Sequence, residues 1–286
     1  MQFMLTNVTS VREFDAGFRA PLDGAEAKRW ATELRETYLS HPIYSHPHLK
    51  HLANGAYPDD TFAVKDHAQQ VFSFGRDFRA YLGLTLSKLK GCDAVRDNLL
   101  QHLREENGIY TEHEIRVIEE QGIPRNYFDG KPHMVLYGDL LKKIGVSQVD
   151  FIPEADRLNR WMMDTLRASS STASTVMILG IELWAMTASE DILPALRRAG
   201  ISPQDAIFFD LHQVVDTNLH VGEIGDDIIQ LLSSQPPENT LEELKQKACE
   251  FSDVRVELWD ALHRRALGRS VVTAPTLQPR QPTARA

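Results

Sequence analysis

Phe208-Phe209-Asp210-Leu211-His212-Gln213-Val214-Val215-Asp216-Thr217-Asn218-Leu219-His220 is the stretch on which the fold and the chemistry of this chain turn. Read as an α-helix, it sets His212, Asp216 and His220 within an arc of about 80°, because each residue turns about 100°. Phe208, Phe209, Leu211, Val214, Val215 and Leu219 are apolar, so the helix is expected to be buried on most sides. Two imidazoles and a carboxylate aimed into a helical core suit a transition metal, iron foremost, since a cation offsets the cost of a buried carboxylate. A solvated i,i+4 pair accounts for Asp216 and His220 alone, but not for a third member in an apolar setting. Along a regular helix His212 and His220 stand about 12 Å apart. One site can use both only if it holds two metals or the helix is distorted, and a π-bulge shortens the gap.

Helical periodicity dominates the rest of the chain, and no run alternates as a half-buried strand does. A first helix is expected from Ala25 to Leu39, then a His/Pro-rich connection from His41 to Pro58. Asp59-Asp60-Thr61 has the character of a capped helix start. Further helices are expected over Asp93 to Glu106, Thr111 to Gln121 and from Pro132 to Gly145. A long helix from Ala155 to Ala188 would bend at its small residues, Ser169 to Thr175. A separate segment follows from Glu190 to Arg198; Ser202-Pro203 opens the triad helix, and a last helix runs from Thr240 to Leu267.

The chain has 286 residues, 42% of them hydrophobic, enough for one large core. Its formal charge of −9, with no basic cluster, speaks against a nucleic-acid surface. Two cysteines, Cys92 and Cys249, give neither a disulfide framework nor a Cys-rich zinc site and fit a reducing cytoplasm. Residues 1–7 lack a basic start before an apolar run, so no secretory signal is expected. Val176 to Met186 is interrupted by Glu182 and too short to span a bilayer. A soluble, cytoplasmic, all-α domain is expected over residues 23–268, with an extension at 1–22 and a disordered tail at 269–286.

A binuclear iron site in a helical bundle needs carboxylates as well as histidines. Glu182 stands alone among apolar residues in Met177 to Met186, and glutamate is rarely buried unless paired. Either it is a metal ligand or it pairs with an arginine such as Arg160 or Arg167. Glu106 ends the helix that begins near Asp93, where an acidic residue alone means little.

The order Glu106-Asn107-Gly108, His113, Gly180-Ile181-Glu182, then His212, Asp216 and His220 resembles the heme-oxygenase-like diiron oxidases. His46-Pro47-His48-Leu49-Lys50-His51-Leu52-Ala53-Asn54-Gly55, followed by a long aromatic helix, is similar to the opening of these folds. It also resembles the related thiaminase-like and cofactorless quinone-forming proteins. The resemblance runs from about His41 to Leu232. It implies a heme-oxygenase-like helical bundle with metal ligands Glu106, His113, Glu182, His212, Asp216 and His220, of which Glu106, Glu182 and Asp216 are the catalytic carboxylates. It implies two Fe(II) per chain, with manganese as a substitute, and O2 as cosubstrate.

The chain departs from the family pattern in three places. Four residues rather than three separate Asp216 from His220, as in the decarboxylase-like members. Gln70, with Asp66 and His67 nearby, stands where some members supply a further glutamate. His133, in His133-Met134-Val135-Leu136-Tyr137, competes with His113, which spacing favours. His41, His46, His48 and His51 are expected to cap or pack. The implied substrate is a small amino-acid-like molecule, its carboxylate anchored by Arg76, Arg160 or Arg167. The implied reaction is C–H cleavage, as desaturation or cyclisation, in specialised biosynthesis, ahead of N-oxygenation or oxidative C–C cleavage, with Tyr137 a candidate for self-oxidation. An external electron donor and a homodimer are the implied partners. The rivals are a metal-free enzyme on the same fold and a non-catalytic helical interaction protein.

Overall fold

Side-chain caps begin many of the helices, and apolar positions three and four residues apart turn them inward. The computed structural model describes residues 20–269, apart from the side chains of residues 218 and 219. The expected extension and tail therefore lie outside it, save for residues 20–22 and 269. Asp23 accepts from the Glu26 N–H and starts α1 (Gly24–Leu39), which buries Ala27, Trp30, Ala31, Leu34 and Tyr38. A single 3₁₀ turn, Pro42–Ser45, leads into α2 (Pro47–Asn54). His41 and His46 do cap these two elements, accepting from the N–H groups of Ile43 and His48. Asp59 caps α3 (Asp60–Leu86), which is followed by α4 (Asp93–Glu105), α5 (Glu112–Glu120), α6 (Arg125–Phe128) and α7 (His133–Lys143).

The expected bent helix from Ala155 to Ala188 is two helices instead, α8 (Pro153–Ala168) and α9 (Ser171–Arg198). Ser169 and Ser170 are extended, and the Ser170 hydroxyl accepts from the Ala173 N–H to start the second helix. Serine competes for backbone hydrogen bonds, so it ends and caps helices more readily than it bends them. α9 then runs on through Pro194, so the segment from Glu190 to Arg198 is its last part rather than a separate helix. α10 (Ile207–Val215), one π-helical turn (Asp216–His220) and α11 (Val221–Ser234) form one continuous rod, and α12 (Leu241–Leu267) closes the bundle.

No β-strand occurs among the described residues, and no described helix is long and apolar enough to cross a membrane. α9 is the axis. Every residue from Ser171 to Trp184 is buried, and the helix packs against α1, α2, α3, α10, α11 and α12. Its glycine has a reason. A Cβ on Gly180 would lie 2.5–2.6 Å from the ring and hydroxyl of Tyr38, which donates to the Val176 carbonyl at 2.9 Å. This close crossing of α1 and α9 sits two residues before Glu182.

Gly180→Ala gains about 1 kcal/mol of helix propensity but overpacks the crossing by roughly 1–3 kcal/mol. A lower denaturation midpoint is therefore expected, where an exposed helical glycine would show a higher one.

Candidate metal centre

Four histidines face inward in the same manner, each with one ring nitrogen held from outside. His220 Nε2 lies 2.6 Å from Glu105 Oε2, and its Nδ1 faces Asp216 Oδ1 at 3.2 Å and Glu182 Oε2 at 3.5 Å. His102 Nε2 is 3.2 Å from Glu223 Oε2, while its Nδ1 looks toward Glu182 Oε1 at 4.0 Å. His133 Nε2 meets the Tyr110 hydroxyl at 2.6 Å, with Nδ1 on Glu106 Oε1 at 2.8 Å. His212 Nδ1 is fixed by the Phe208 carbonyl at 2.7 Å. Outer partners of this kind fix the tautomer and ring orientation of metal-binding histidines.

The inward atoms form two groups, His102/Glu182/His220 and Glu106/His133/His212, whose ligand atoms lie within 4.8 Å of one another inside each group. Both groups line one small cavity, with Phe78, Leu211, Val215 and Asp216 completing its wall. His102 Nδ1, Glu182 Oε1, Asp216 Oδ2 and His220 Nδ1 are buried without a hydrogen-bond partner. Such orphaned atoms on both donors and acceptors are costly, and a cation satisfies nitrogen lone pairs and carboxylates together. The donor set therefore fits two transition-metal ions.

The electrostatics agree. Burial alone would raise the Glu182 carboxyl, but the hydrogen bond and charge of His220, then His102 and His212, hold it below the usual range. Burial and the Glu182 charge push Asp216 well above its ordinary value. Burial opposes charge on His220, yet Asp216, Glu105 and Glu182 together raise it well above the ordinary histidine range. Without metal, protons on Asp216 and His220 do what a cation would do. Burial, then the charge of His133, lowers His212 to about 4, leaving a neutral ligand.

Of the residues expected from sequence, Glu106, Glu182, His212, Asp216 and His220 meet at this cavity. His113 does not: it stands exposed on α5 and belongs to neither group, and His133 sits beside Glu106 instead. The reason lies at Gly108. With φ +77, it brings the chain so close to Lys131 that a Cβ would sit 2.5 Å from backbone atoms. The Gly130 and His133 N–H groups donate to the Gly108 and Glu106 carbonyls at 2.9 and 3.1 Å. His102 and Glu105 were not anticipated, although His102 stands four residues before Glu106 and three before Glu105, so each of those glutamates neighbours it on the helix surface. Gln70 does not replace a ligand. It ties the loop before α8 to α3 through the Asp150 carbonyl and the Ile152 N–H, while Asp66 pairs with Arg265. Arg76, Arg160 and Arg167 line a surface cleft away from the centre, the first and last paired with Asp77 and Asp164.

A family model for iron-containing redox enzymes matches residues 65–256, which hold every residue of both groups. The chain belongs to that family. In structure this iron-containing redox enzyme is similar to a TenA homologue from Pseudomonas syringae pv. tomato (TM-score 0.60, 12% identity, 86% of this chain and 94% of that one). It is also similar to a domain of unknown function with a heme oxygenase-like fold from Shewanella denitrificans (TM-score 0.53, 13% identity, 85% and 93%). These likenesses show the fold, a heme oxygenase-like bundle. No curated protein matches in sequence.

Two outcomes are expected on anaerobic loading with ferrous iron. His133→Gln and Gly108→Ala lower the bound iron while His113→Gln leaves it unchanged, as read by metal analysis. Because metal competes with protons for the histidines and carboxylates that would ligate it, iron affinity falls as pH is lowered, and loading near neutral pH releases protons to an indicator dye.

Proposed function

We propose that this enzyme is a non-heme diiron oxidase that uses O2 to cleave a C–H bond of a small, largely apolar substrate. The observation that carries this reading is the pairing of two His/carboxylate groups in one wall, with a second cavity lying against that wall. The second cavity is lined by Val71, Phe74, Met134, Ile181, Phe208 and Phe209, among others. Phe78, Glu106, Glu182 and His212 line both cavities. A substrate there would lie beside the metal ligands, in the mostly apolar surroundings common to small-molecule sites.

His102, Glu182, Asp216 and His220 would hold one ion, and Glu106, His133 and His212 the other. Glu182 would serve beside His102 and His220, and it lies near enough to His212 to feel that ring's charge. Two ferrous ions would supply electrons for O2 reduction and the oxidising power for hydrogen abstraction. The chain's part is to orient and to exclude water. Glu105, Glu223 and Tyr110 fix the ring nitrogens, and the rings of Phe78, Phe208 and Tyr137 keep the reacting space dry. Tyr137 is stacked on Phe208 at 4.2 Å and donates to the Ala68 carbonyl at 2.9 Å, which gives it a packing role.

No lysine or arginine lines the cavity, so no guanidinium anchors a carboxylate inside it. An amino-acid-like substrate would carry an aliphatic or aromatic side chain in the apolar part and face its charged end to the ligand wall. Desaturation or cyclisation of such a molecule remains the reaction favoured here, with electrons beyond those stored in the metals coming from an external donor.

Reconstituted protein is expected to bind about two iron ions per chain and to consume O2, and Glu182→Ala to lose both properties. Failure to bind iron, or unchanged iron content in Glu182→Ala, overturns the reading. Ala188→Phe, which fills the apolar cavity away from the ligands, should keep the iron while losing substrate-dependent O2 uptake.

A further inference from the structure

Aromatic side chains form an unbroken file from the apolar cavity toward the protein surface. Trp184 lines the cavity; its ring centroid lies 5.9 Å from that of Trp259 on α12. Trp259 stacks on His48 at 5.7 Å, and His48 lies 5.8 Å from Tyr57. Tyr57 is 5.7 Å from His263, which is half-buried at the edge of the molecule. We propose that Trp184, Trp259 and Tyr57, with His48 between the last two, conduct single electrons between the protein surface and the cavity. The proposal rests on the diiron reading for its purpose, but not for its test.

The hydrogen bonding assigns each member a different part. The indole N–H groups of Trp184 and Trp259 are buried with no acceptor. An indole that loses an electron there has no base to take its proton, so the hole is not trapped and passes on. The buried guanidinium of Arg255, 5.7 Å from the Trp184 ring, disfavours positive charge on that ring and hastens its departure. Tyr57 differs: its hydroxyl lies 2.7 Å from His48 Nδ1 and 2.7 Å from His263 Nδ1. Burial lowers the basicity of both imidazoles, leaving them neutral and able to accept a proton. A hole reaching Tyr57 is therefore stabilised as the phenol proton moves to one of them.

The sequence of steps balances. Trp184 gives one electron to an oxidant that O2 yields in the cavity. Trp259 refills Trp184, and Tyr57 refills Trp259 while its proton moves to a neighbouring imidazole. A one-electron donor in solution, such as a reduced flavin or iron–sulfur protein, then reduces Tyr57, which takes its proton back. The net result is one electron moved inward and no atom displaced.

The test uses the full-length, metal-free chain, so failure of iron binding cannot mask it. A ruthenium polypyridyl sensitiser is attached at exposed Arg264→Cys, with Cys249→Ser, and flashed with a soluble quencher. Transient absorption should show tyrosyl and indolyl radicals. Tyr57→Phe should lose the tyrosyl signal, and Trp259→Phe the indolyl signal while the tyrosyl persists. Trp259→Tyr should restore transfer if Trp259→Phe proves unstable, and Trp30→Phe should change neither signal. Radical yields unaffected by both Tyr57→Phe and Trp259→Phe overturn the proposal. In iron-loaded protein exposed to O2 without substrate, freeze-quench EPR should show a Tyr57 radical that Trp184→Phe abolishes; the same radical in Trp184→Phe removes that residue from the path.

Discussion

Carboxylates placed in a helical core with no lysine or arginine paired to them constrain the rest of this structure. Glu106, Glu182 and Asp216 are all more than nine-tenths buried, and histidines are what the fold sets against them. An interior of this kind is expensive unless a cation enters or protons are retained. The metal-free chain therefore resembles a spring-loaded vessel, holding protons that iron would replace. The surrounding architecture serves this arrangement: α9 is buried on all sides at Glu182, and the α1 crossing at Gly180 fixes its height.

Much of the centre was legible in sequence because two of its helices carry unmistakable patterns. Glu182 stood out as the one charge in an apolar run, and His212, Asp216 and His220 by their spacing. That spacing called for two ions or a distorted helix; Asp216–His220 is a π turn, and the two histidines fall in different groups. Two features were not legible. His133 is a candidate in the sequence, but that it rather than His113 stands beside Glu106 depends on a long return of the chain that no local period encodes. His102 is a ligand candidate only because α4 packs against α11, a tertiary fact. The division between α8 and α9 was missed for a local reason, serine capping where neither glycine nor proline marks a break.

The apolar cavity moderates what the family pattern implied. Two of the three arginines that looked suited to anchor a carboxylate hold surface aspartates, and the chamber beside the candidate ligands is walled by hydrocarbon and aromatic rings. Selectivity in such a chamber rests on shape and desolvation, which discriminate modestly between near neighbours in size. The polar discrimination available lies in the ligand wall itself, so recognition and chemistry share the same few atoms.

The join at Gly108 has a consequence for how this enzyme can vary. Chain positions 106 and 133 are clamped backbone to backbone, and everything between them, α5 and α6 included, is a detour that leaves and returns at one point. Apart from Tyr110 near its start, which steadies the His133 ring, that detour supplies no atom to the centre. Outside Gly108 and the buried Ile115, Ile118 and Phe128 its exposed turns can vary, and a tag, a reporter or a docking module grafted near exposed Gly122 would leave the centre untouched.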